Sequence, residues 1–113
     1  MYRIVQVNIV YASAYRDPRV LEPLMTGMAL DWARYSHFGW LLWTSSSIFE
    51  VTERLKAVLD PDDQFLVTTF NPGIDRPGGR LPKWLWDWMN QPRDSLSGRT
   101  TTLSDLTSRY ETG

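Results

Sequence analysis

Three aspartates, Asp60, Asp62 and Asp63, stand close together between a helical pattern and a strand pattern. Closely spaced carboxylates supply the oxygen ligands that Ca²⁺ and Mg²⁺ prefer, so the group is a candidate metal site. Its spacing is not that of an EF-hand loop, and Pro61 at its centre favours a tight turn. We interpret the group as a helix-to-strand turn with a capping aspartate, and we predict no metal site and no cofactor.

The single histidine, His37, carries the one side chain whose ordinary pKa suits a general base at neutral pH. Arg34, Tyr35 and Ser36 precede it, a set that suits phosphodiester chemistry without a metal. The spacing fixes no partner for the imidazole, and residues 36–39 have the composition of a hairpin turn. We interpret His37 as an exposed turn residue and keep it as a catalytic candidate.

The chain has six tryptophans, and Trp84, Trp86 and Trp88 alternate along one short segment. Indole faces can stack on single-stranded bases while nearby cations hold the phosphates. Residues 71–113 carry six Lys+Arg against five Asp+Glu, so the charge that would attract phosphates is small. We favour packing on the core or on a dimer partner, with Trp84 and Trp88 inward and Trp86 partly exposed. The alternatives are a protein groove and a nucleic-acid surface, with Arg34, Arg80, Lys83 and Trp86 as the binding residues.

The composition excludes several classes of function. Twelve Lys+Arg against thirteen Asp+Glu give a net charge of −1, which argues against broad nonspecific nucleic-acid binding. The absence of cysteine excludes disulfides, thiolate metal sites and cysteine nucleophiles, and a single histidine excludes any site with two imidazoles. No apolar run approaches the ~20 residues of a membrane span, and no signal-peptide pattern is present. We therefore predict a soluble, cytoplasmic, single-domain protein that does not associate with membranes.

The first half of the chain predicts a strand, a helix and a hairpin. Residues 2–11 alternate with period two and are rich in β-branched residues, which indicates a central strand. An N-cap aspartate followed by proline opens a helix near 18–30. We expect either that Pro23 kinks this helix or that its regular part starts near Pro23. The aromatic stretch that follows divides at its turn residues into short strands at 31–35 and 39–44.

The second half predicts a helix, a strand and a shorter helix. Ser47 and Glu50 form a capping box, and apolar residues at helical spacing extend the helix over 47–59. The pattern of residues 64–70 predicts a strand. A loop rich in proline and glycine follows, and a short helix is predicted within 81–90. The residues predicted to share one face of that helix are Leu81, Trp84, Leu85 and Trp88.

The order β-α-β-β-α-β predicts the architecture. It indicates an α+β protein, a ferredoxin-like βαββαβ sandwich over residues 1–90, followed by a C-terminal helix and tail. The right-handed crossover rule gives the strand order 4-1-3-2 with both repeat helices on one face. The opposite face must then be polar, or be covered by the tail or a partner. We expect the tail, residues 91–113, to dock on the domain or on a dimer partner. A short helix within it would carry Leu103, Leu106 and Tyr110.

Four segments carry a resemblance to a known family: RIVQVNIVY, DWARYSHFGWLLWTSS, IFEVTERLKAVLDPDDQFLVTTF and RLPKWLWDWMN. Together they resemble small bacterial proteins of the SinR-like group, meaning the ferredoxin-like proteins and not the helix-turn-helix sporulation repressor. Those proteins are similar to the CRISPR-associated Cas-two subunits and to virulence-associated protein D. The resemblance covers about residues 2–90 and rests on pattern, with no diagnostic catalytic signature.

The resemblance implies a homodimer and a site at the end of the first strand. In the Cas-two branch that strand ends in an aspartate thought to bind a metal for nuclease chemistry, and the matching position here is Asn8. A neutral amide does not replace a carboxylate as an anionic ligand of a hard cation, so we lean against an enzyme. We expect a non-catalytic homodimeric interaction module with a protein partner, beside a toxin-antitoxin or defence system. The alternative is a nuclease or nucleic-acid-binding protein of the same family, with Asn8 and His37 as its catalytic candidates.

Overall fold

A four-stranded antiparallel sheet runs through the middle of the molecule, which confirms the predicted α+β class. The computed structural model describes residues 1–12, 16–71, 74–75 and 77–101. The strands are β1 (Arg3–Val10), β2 (Asp31–Ser36), β3 (Gly39–Thr44) and β4 (Gln64–Phe70). All four fall where the alternation and the turn residues of the sequence predict them.

The strands lie side by side in the order β2-β3-β1-β4. This is the predicted order 4-1-3-2 read from the opposite edge. β1 is a central strand, and Val7 lies opposite both Trp40 of β3 and Val67 of β4. Val7 and Ile4 point to opposite sides of β1 and both are fully buried, which explains why apolar residues occur on both sides of the strand.

The regular part of the first helix starts next to Pro23, which is one of the two predicted outcomes, and a 3-10 turn precedes it. Asp17 accepts a hydrogen bond from the backbone N–H of Arg19 and opens a 3-10 turn, Pro18–Leu21. Helix α1 (Glu22–Met28) follows directly, with a proline at the start where its missing N–H costs nothing.

Helix α2 (Ile48–Val58) begins at the predicted capping box. The Ser47 hydroxyl accepts from the Glu50 N–H, while the Glu50 carboxylate accepts from the Ser47 N–H. A third helix, α3 (Lys83–Met89), follows the loop after β4. No helix in the described part of the chain is both long and apolar enough to cross a lipid bilayer.

Helices α1 and α2 pack on one face of the sheet and form the first core. Val5, Val7 and Ile9 point from β1 into this layer, since alternate residues of a strand face the same side. The other buried members are Leu21, Met25, Met28, Trp40, Leu42, Val51 and Leu55. Both repeat helices therefore lie on the same face, as the crossover rule predicts.

Helix α3 covers part of the opposite face, which we call the second face. Its Leu85 and Met89 are buried against strand residues, which are Ile4, Ala33, Leu41 and Trp43. The prediction that Trp84 points inward is wrong, because its side chain is 54% exposed. Successive residues are rotated by about 100° around the helix axis. Measured from the direction midway between Leu85 and Met89, Trp84 is rotated by about 120°, whereas Trp86 and Trp88 are rotated by about 80° to either side. Trp84 therefore points furthest from the buried side.

Residues 91–101 lie against the second face beside α3. The Tyr2 N–H donates to the Ser95 carbonyl at 2.6 Å, and the Trp43 indole N–H donates to the Gly98 carbonyl at 2.7 Å. Gly98 has φ of 76°, and a Cβ there would lie 2.8 Å from the Tyr2 ring, so only glycine fits. The predicted helix carrying Leu103, Leu106 and Tyr110 lies outside the described residues.

A buried guanidinium holds this segment in place. The Arg93 side chain is 3% exposed, and its Cζ lies 4.6 Å from the Trp88 ring centroid and 5.2 Å from that of Trp43. Asp31 lies 3.8 Å from the guanidinium and also accepts the Trp88 indole N–H at 2.8 Å. Burial lowers the pKa of Arg93, while the Asp31 charge acts in the opposite direction.

Candidate functional site

A chain of polar side chains crosses the second face beyond the end of α3. The Gln6 amide donates to the Tyr35 hydroxyl at 3.0 Å, and that hydroxyl donates to the Asn8 carbonyl. The Thr68 hydroxyl donates to the Gln6 carbonyl at 3.3 Å. These four residues, which we call the polar floor, come from three different strands.

The strand register explains how Tyr35 of β2 reaches β1, although β3 lies between them. Gly39 of β3 lies opposite Asn8, and the Tyr35 ring occupies the space above it. A Cβ on Gly39 would lie 2.5 Å from the nearest atom of that ring. The missing side chain therefore allows the phenol to cross β3 and bond to the amides of β1.

A cavity of about 230 Å³ opens beside the polar floor. Gln6 and Tyr35 line its base, and Phe70 and Trp86 contribute aromatic walls. The segment 77–81, between β4 and α3, forms its rim and includes Arg80. The site combines apolar walls, two polar groups at the base and one cation, which is the usual composition of a small-molecule site.

The structure brings three of the predicted site residues to this face and separates the others from it. Asn8 belongs to the polar floor, and Arg80 and Trp86 line the cavity. Lys83 lies at the start of α3, where its ammonium bonds to Asp87 at 2.7 Å along an exposed helix face.

Arg34 and His37 line a different opening, of about 310 Å³, near the start of the 3-10 turn. The Arg34 guanidinium lies 5.8 Å from the Trp40 ring centroid. Asp17 lines the same opening, and the hydrogen bonds from Arg19 lower the pKa of its carboxyl to about 2. Since that carboxylate stays ionised at neutral pH, it offsets part of the positive charge around this opening.

The aspartate group forms the predicted turn. Asp63 accepts hydrogen bonds from the backbone N–H groups of Ala12 and Asp60, each at 3.0 Å. The bond from Ala12 is the main reason why the pKa of Asp63 is lowered, and Arg16, which forms an ion pair with Asp60, adds to the effect. The interpretation of a capping aspartate is confirmed. The part of the chain that the structure describes contains no group of three or more potential ligands arranged for a metal ion.

The outer edge of β4 is a second feature with functional potential. Its sequence, QFLVTTF, has neither a charged residue nor a proline. Among the described residues, β4 pairs with β1 alone, so its other side is an edge of the sheet. Leu66 on β4 and Val10 on β1 both point to the second face and are 61% and 62% exposed.

Asn8, Arg80 and Trp86 could be predicted as site residues from the sequence. The part of Thr68 in the polar floor and the bond between Gln6 and Tyr35 could not. The available signals were polar residues at alternate positions of an otherwise apolar strand, and a glycine directly opposite one of them. Those signals show that the face is polar. They do not show which side chains meet across three strands.

Comparison of the chain with protein-family models, with curated proteins and with solved structures finds no match. The geometry itself defines a class: a small α+β protein with a polar-floored cavity on one sheet face and an uncharged edge strand beside it. The resemblance to the SinR-like proteins rests on the four sequence segments alone.

Proposed function

We propose that the chain is a non-catalytic, ferredoxin-like interaction module that forms a homodimer by antiparallel pairing of two β4 edges. The observation that carries the proposal is the uncharged, proline-free edge of β4. Support for the ferredoxin-like classification comes from the strand order and from the placement of α1 and α2 on one face.

The two edges of the sheet differ in a way that favours β4. Edge strands of proteins that do not pair are commonly protected by charges, prolines or bulges. β2 carries Asp31 and Arg34, and its register with β3 shifts between Arg34 and Ser36. β4 has none of these devices, and its register with β1 is continuous from Gln64 to Phe70. One edge is therefore protected and the other is suited to pairing.

A two-fold axis through Val67 would pair β4 with its own copy without placing a charge in the interface. Phe65 would lie opposite the partner's Thr69, and Leu66 opposite the partner's Thr68. Aliphatic and aromatic residues beside threonine are favourable cross-strand neighbours. The pairing would also give the exposed Leu66 a neighbouring surface and join two four-stranded sheets into one of eight strands.

The chemistry of Asn8 supports the non-catalytic part of the proposal. Its side chain is neutral, and its carbonyl oxygen already accepts the Tyr35 hydroxyl. An anionic ligand for a catalytic metal would require a carboxylate at this position.

The resemblance to the Cas-two and virulence-associated protein D proteins extends the proposal to a protein partner in a toxin-antitoxin or defence system.

The test is the molar mass measured by light scattering on a sizing column over a range of concentrations. We expect a dimer for the natural sequence and a dissociation constant at least about tenfold higher for Leu66→Lys, since the charge protects the edge. Val20→Lys is the matched control, because Val20 is 74% exposed on the 3-10 turn far along the chain from β4. A monomer at high micromolar concentration, or equal weakening by both substitutions, would refute the proposal.

A further inference from the structure

We propose that the cavity on the second face binds a small planar heteroaromatic anion, with one or two fused rings in the cavity and the anionic group on Arg80. This site goes beyond the proposed dimer, because it uses the side chain of Phe70 on the second face and not the backbone edge of β4.

The walls of the cavity suit a flat ring. Phe70 and Trp86 supply aromatic surfaces, and Leu41 and Met89 supply aliphatic surface between them. Aromatic rings attract one another in stacked and edge-to-face arrangements, and a thioether adds a favourable contact with a ring edge. A planar apolar ring therefore fits these walls better than a sugar or an extended polar chain does.

The size of the cavity limits the ligand. An apolar cavity of about 150 Å³ accommodates benzene, whereas sites for drug-sized ligands begin at about 300 Å³. The volume of about 230 Å³ lies between these values and suits one ring or two fused rings. A larger ligand would have to extend past the rim.

Gln6 at the base can recognise a polar ring edge. Its amide uses one N–H on the Tyr35 hydroxyl, and its carbonyl accepts one bond from Thr68. Within the described residues these bonds leave the amide one further N–H and one further lone pair. The unused donor can bond to a ring nitrogen, as in adenine, and the unused acceptor can bond to a ring N–H, as in indole.

Arg80 supplies the positive charge at the rim. It is exposed and forms no ion pair with any residue that the structure describes, whereas nearby Lys83 is already paired with Asp87. A guanidinium binds carboxylate or phosphate through two parallel hydrogen bonds. The ligand therefore carries an anionic group where it leaves the cavity.

The rim beside Arg80 leaves the entrance open. Gly78 and Gly79 have no side chains, and a Cβ built on either meets no atom within 4 Å. Gly79 also has φ of 148°, which disfavours other residues. Gly78 lacks that constraint and a Cβ there meets open space, so it is the rim position at which we introduce a large side chain to obstruct the entrance.

Isothermal titration calorimetry with indole-3-acetate tests the proposal, with two matched probes. Indole-3-acetamide keeps the shape and removes the charge, and acetate keeps the charge and removes the ring. AMP and adenosine form a second matched pair, which distinguishes a nucleotide from a free aromatic acid as the source of the ligand. We expect at least one ring-bearing anion to bind about tenfold more tightly than its uncharged counterpart, and acetate not to bind.

Three substitutions locate the site. Arg80→Ala should remove the tenfold preference for the anion. Lys83→Ala should retain it, because Lys83 lies at the start of α3, three positions from Arg80, and does not line the cavity. Gly78→Phe should abolish binding of every probe while the unfolding midpoint stays at the natural value. Absence of saturable binding by both anions, equal effects of the two alanine variants, or full binding by a folded Gly78→Phe variant would each overturn the proposal. None of these results depends on whether the protein is a dimer.

Discussion

The Tyr35 hydroxyl donates its hydrogen bond to Asn8 across an intervening strand, and Gly39 makes this possible. Because the hydroxyl also accepts from Gln6, its position is fixed by two residues of β1, a strand that does not neighbour its own. The contact makes Asn8 one member of a neutral hydrogen-bonded floor.

Gly39→Ala should lower the free energy of unfolding by about 1–3 kcal/mol, the usual cost of overpacking. The added methyl would lie 2.5 Å from the Tyr35 ring and force it away from Asn8. Urea denaturation followed by tryptophan fluorescence measures the change. Gly78→Ala is the control, because its Cβ meets nothing within 4 Å. Equal stability of the two variants would contradict the account of Gly39.

Asp63 should make stability depend on pH in the acid range. Its folded pKa is lower than the ordinary aspartate value of 3.8, so the folded state binds the proton more weakly than the unfolded state does. Its stabilising contribution is therefore complete above about pH 5 and is lost as the pH falls through the folded pKa.

Asp63→Asn should flatten the acid limb of the stability curve, measured as the urea midpoint between pH 2 and pH 7. It should also lower stability at neutral pH, since an amide nitrogen does not accept the second backbone N–H. Asp62→Asn, an exposed neighbour, is the control. An acid limb of unchanged steepness in the Asp63 variant would show that this carboxylate does not couple folding to protonation.

Arg93→Ala should release residues 91–101 from the second face and destabilise the fold by about 1–2 kcal/mol. The guanidinium lies against two tryptophan rings and is desolvated, which is where cation–π contacts are strongest. Limited proteolysis and near-ultraviolet circular dichroism report the release. Arg99→Ala removes an exposed arginine from the same segment and should leave both signals unchanged. Equal protease resistance of the natural protein and the Arg93 variant would contradict the prediction.

Purified protein should not cleave RNA or DNA in the presence of Mg²⁺ or Mn²⁺. The physical reason is the neutral amide of Asn8 where the resemblance implies a metal-binding carboxylate. Gel assays of labelled single-stranded and double-stranded substrates provide the measurement. Metal-stimulated turnover that Asn8→Ala abolishes would overturn this interpretation. Asn8→Asp need not create activity, because one carboxylate is only part of a metal site.

Elements whose signals are local could be predicted from the sequence. The capping box at Ser47 and Glu50, the turn between β2 and β3 and the alternation along β1 each depend on residues within a few positions of one another. The strand order then follows from the handedness of crossovers, because few topologies remain. The turn at Asp63 was identified for the same reason, although its bond to Ala12 was not.

Contacts between distant positions could not be predicted. Gln6 and Tyr35 are separated by 29 positions, and Trp43 and Gly98 by 55. No periodicity links such pairs. The prediction that Trp84 faces inward is wrong for a physical reason. The three tryptophans of the seven-residue helix α3 point in different directions, so hydrophobicity alone does not identify its buried side. The burial of Arg93 contradicts the usual exposure of arginine and depends on two rings that the fold brings together.

The bond between Tyr2 and Ser95 has a consequence for synthesis of the chain on the ribosome. β1 is made first, but the strands on either side of it and the segment that covers Trp43 emerge later, the last of them more than ninety positions downstream. Closing so long a loop is entropically slow, and contacts of this separation form late in folding. On the nascent chain, Ile4 and Trp43 therefore stay without the cover of α3 until residue 89 has left the exit tunnel, and Trp43 stays without its bond to Gly98 until residue 98 has followed. During those intervals the uncovered apolar surface is exposed to water, and surface of this kind promotes aggregation.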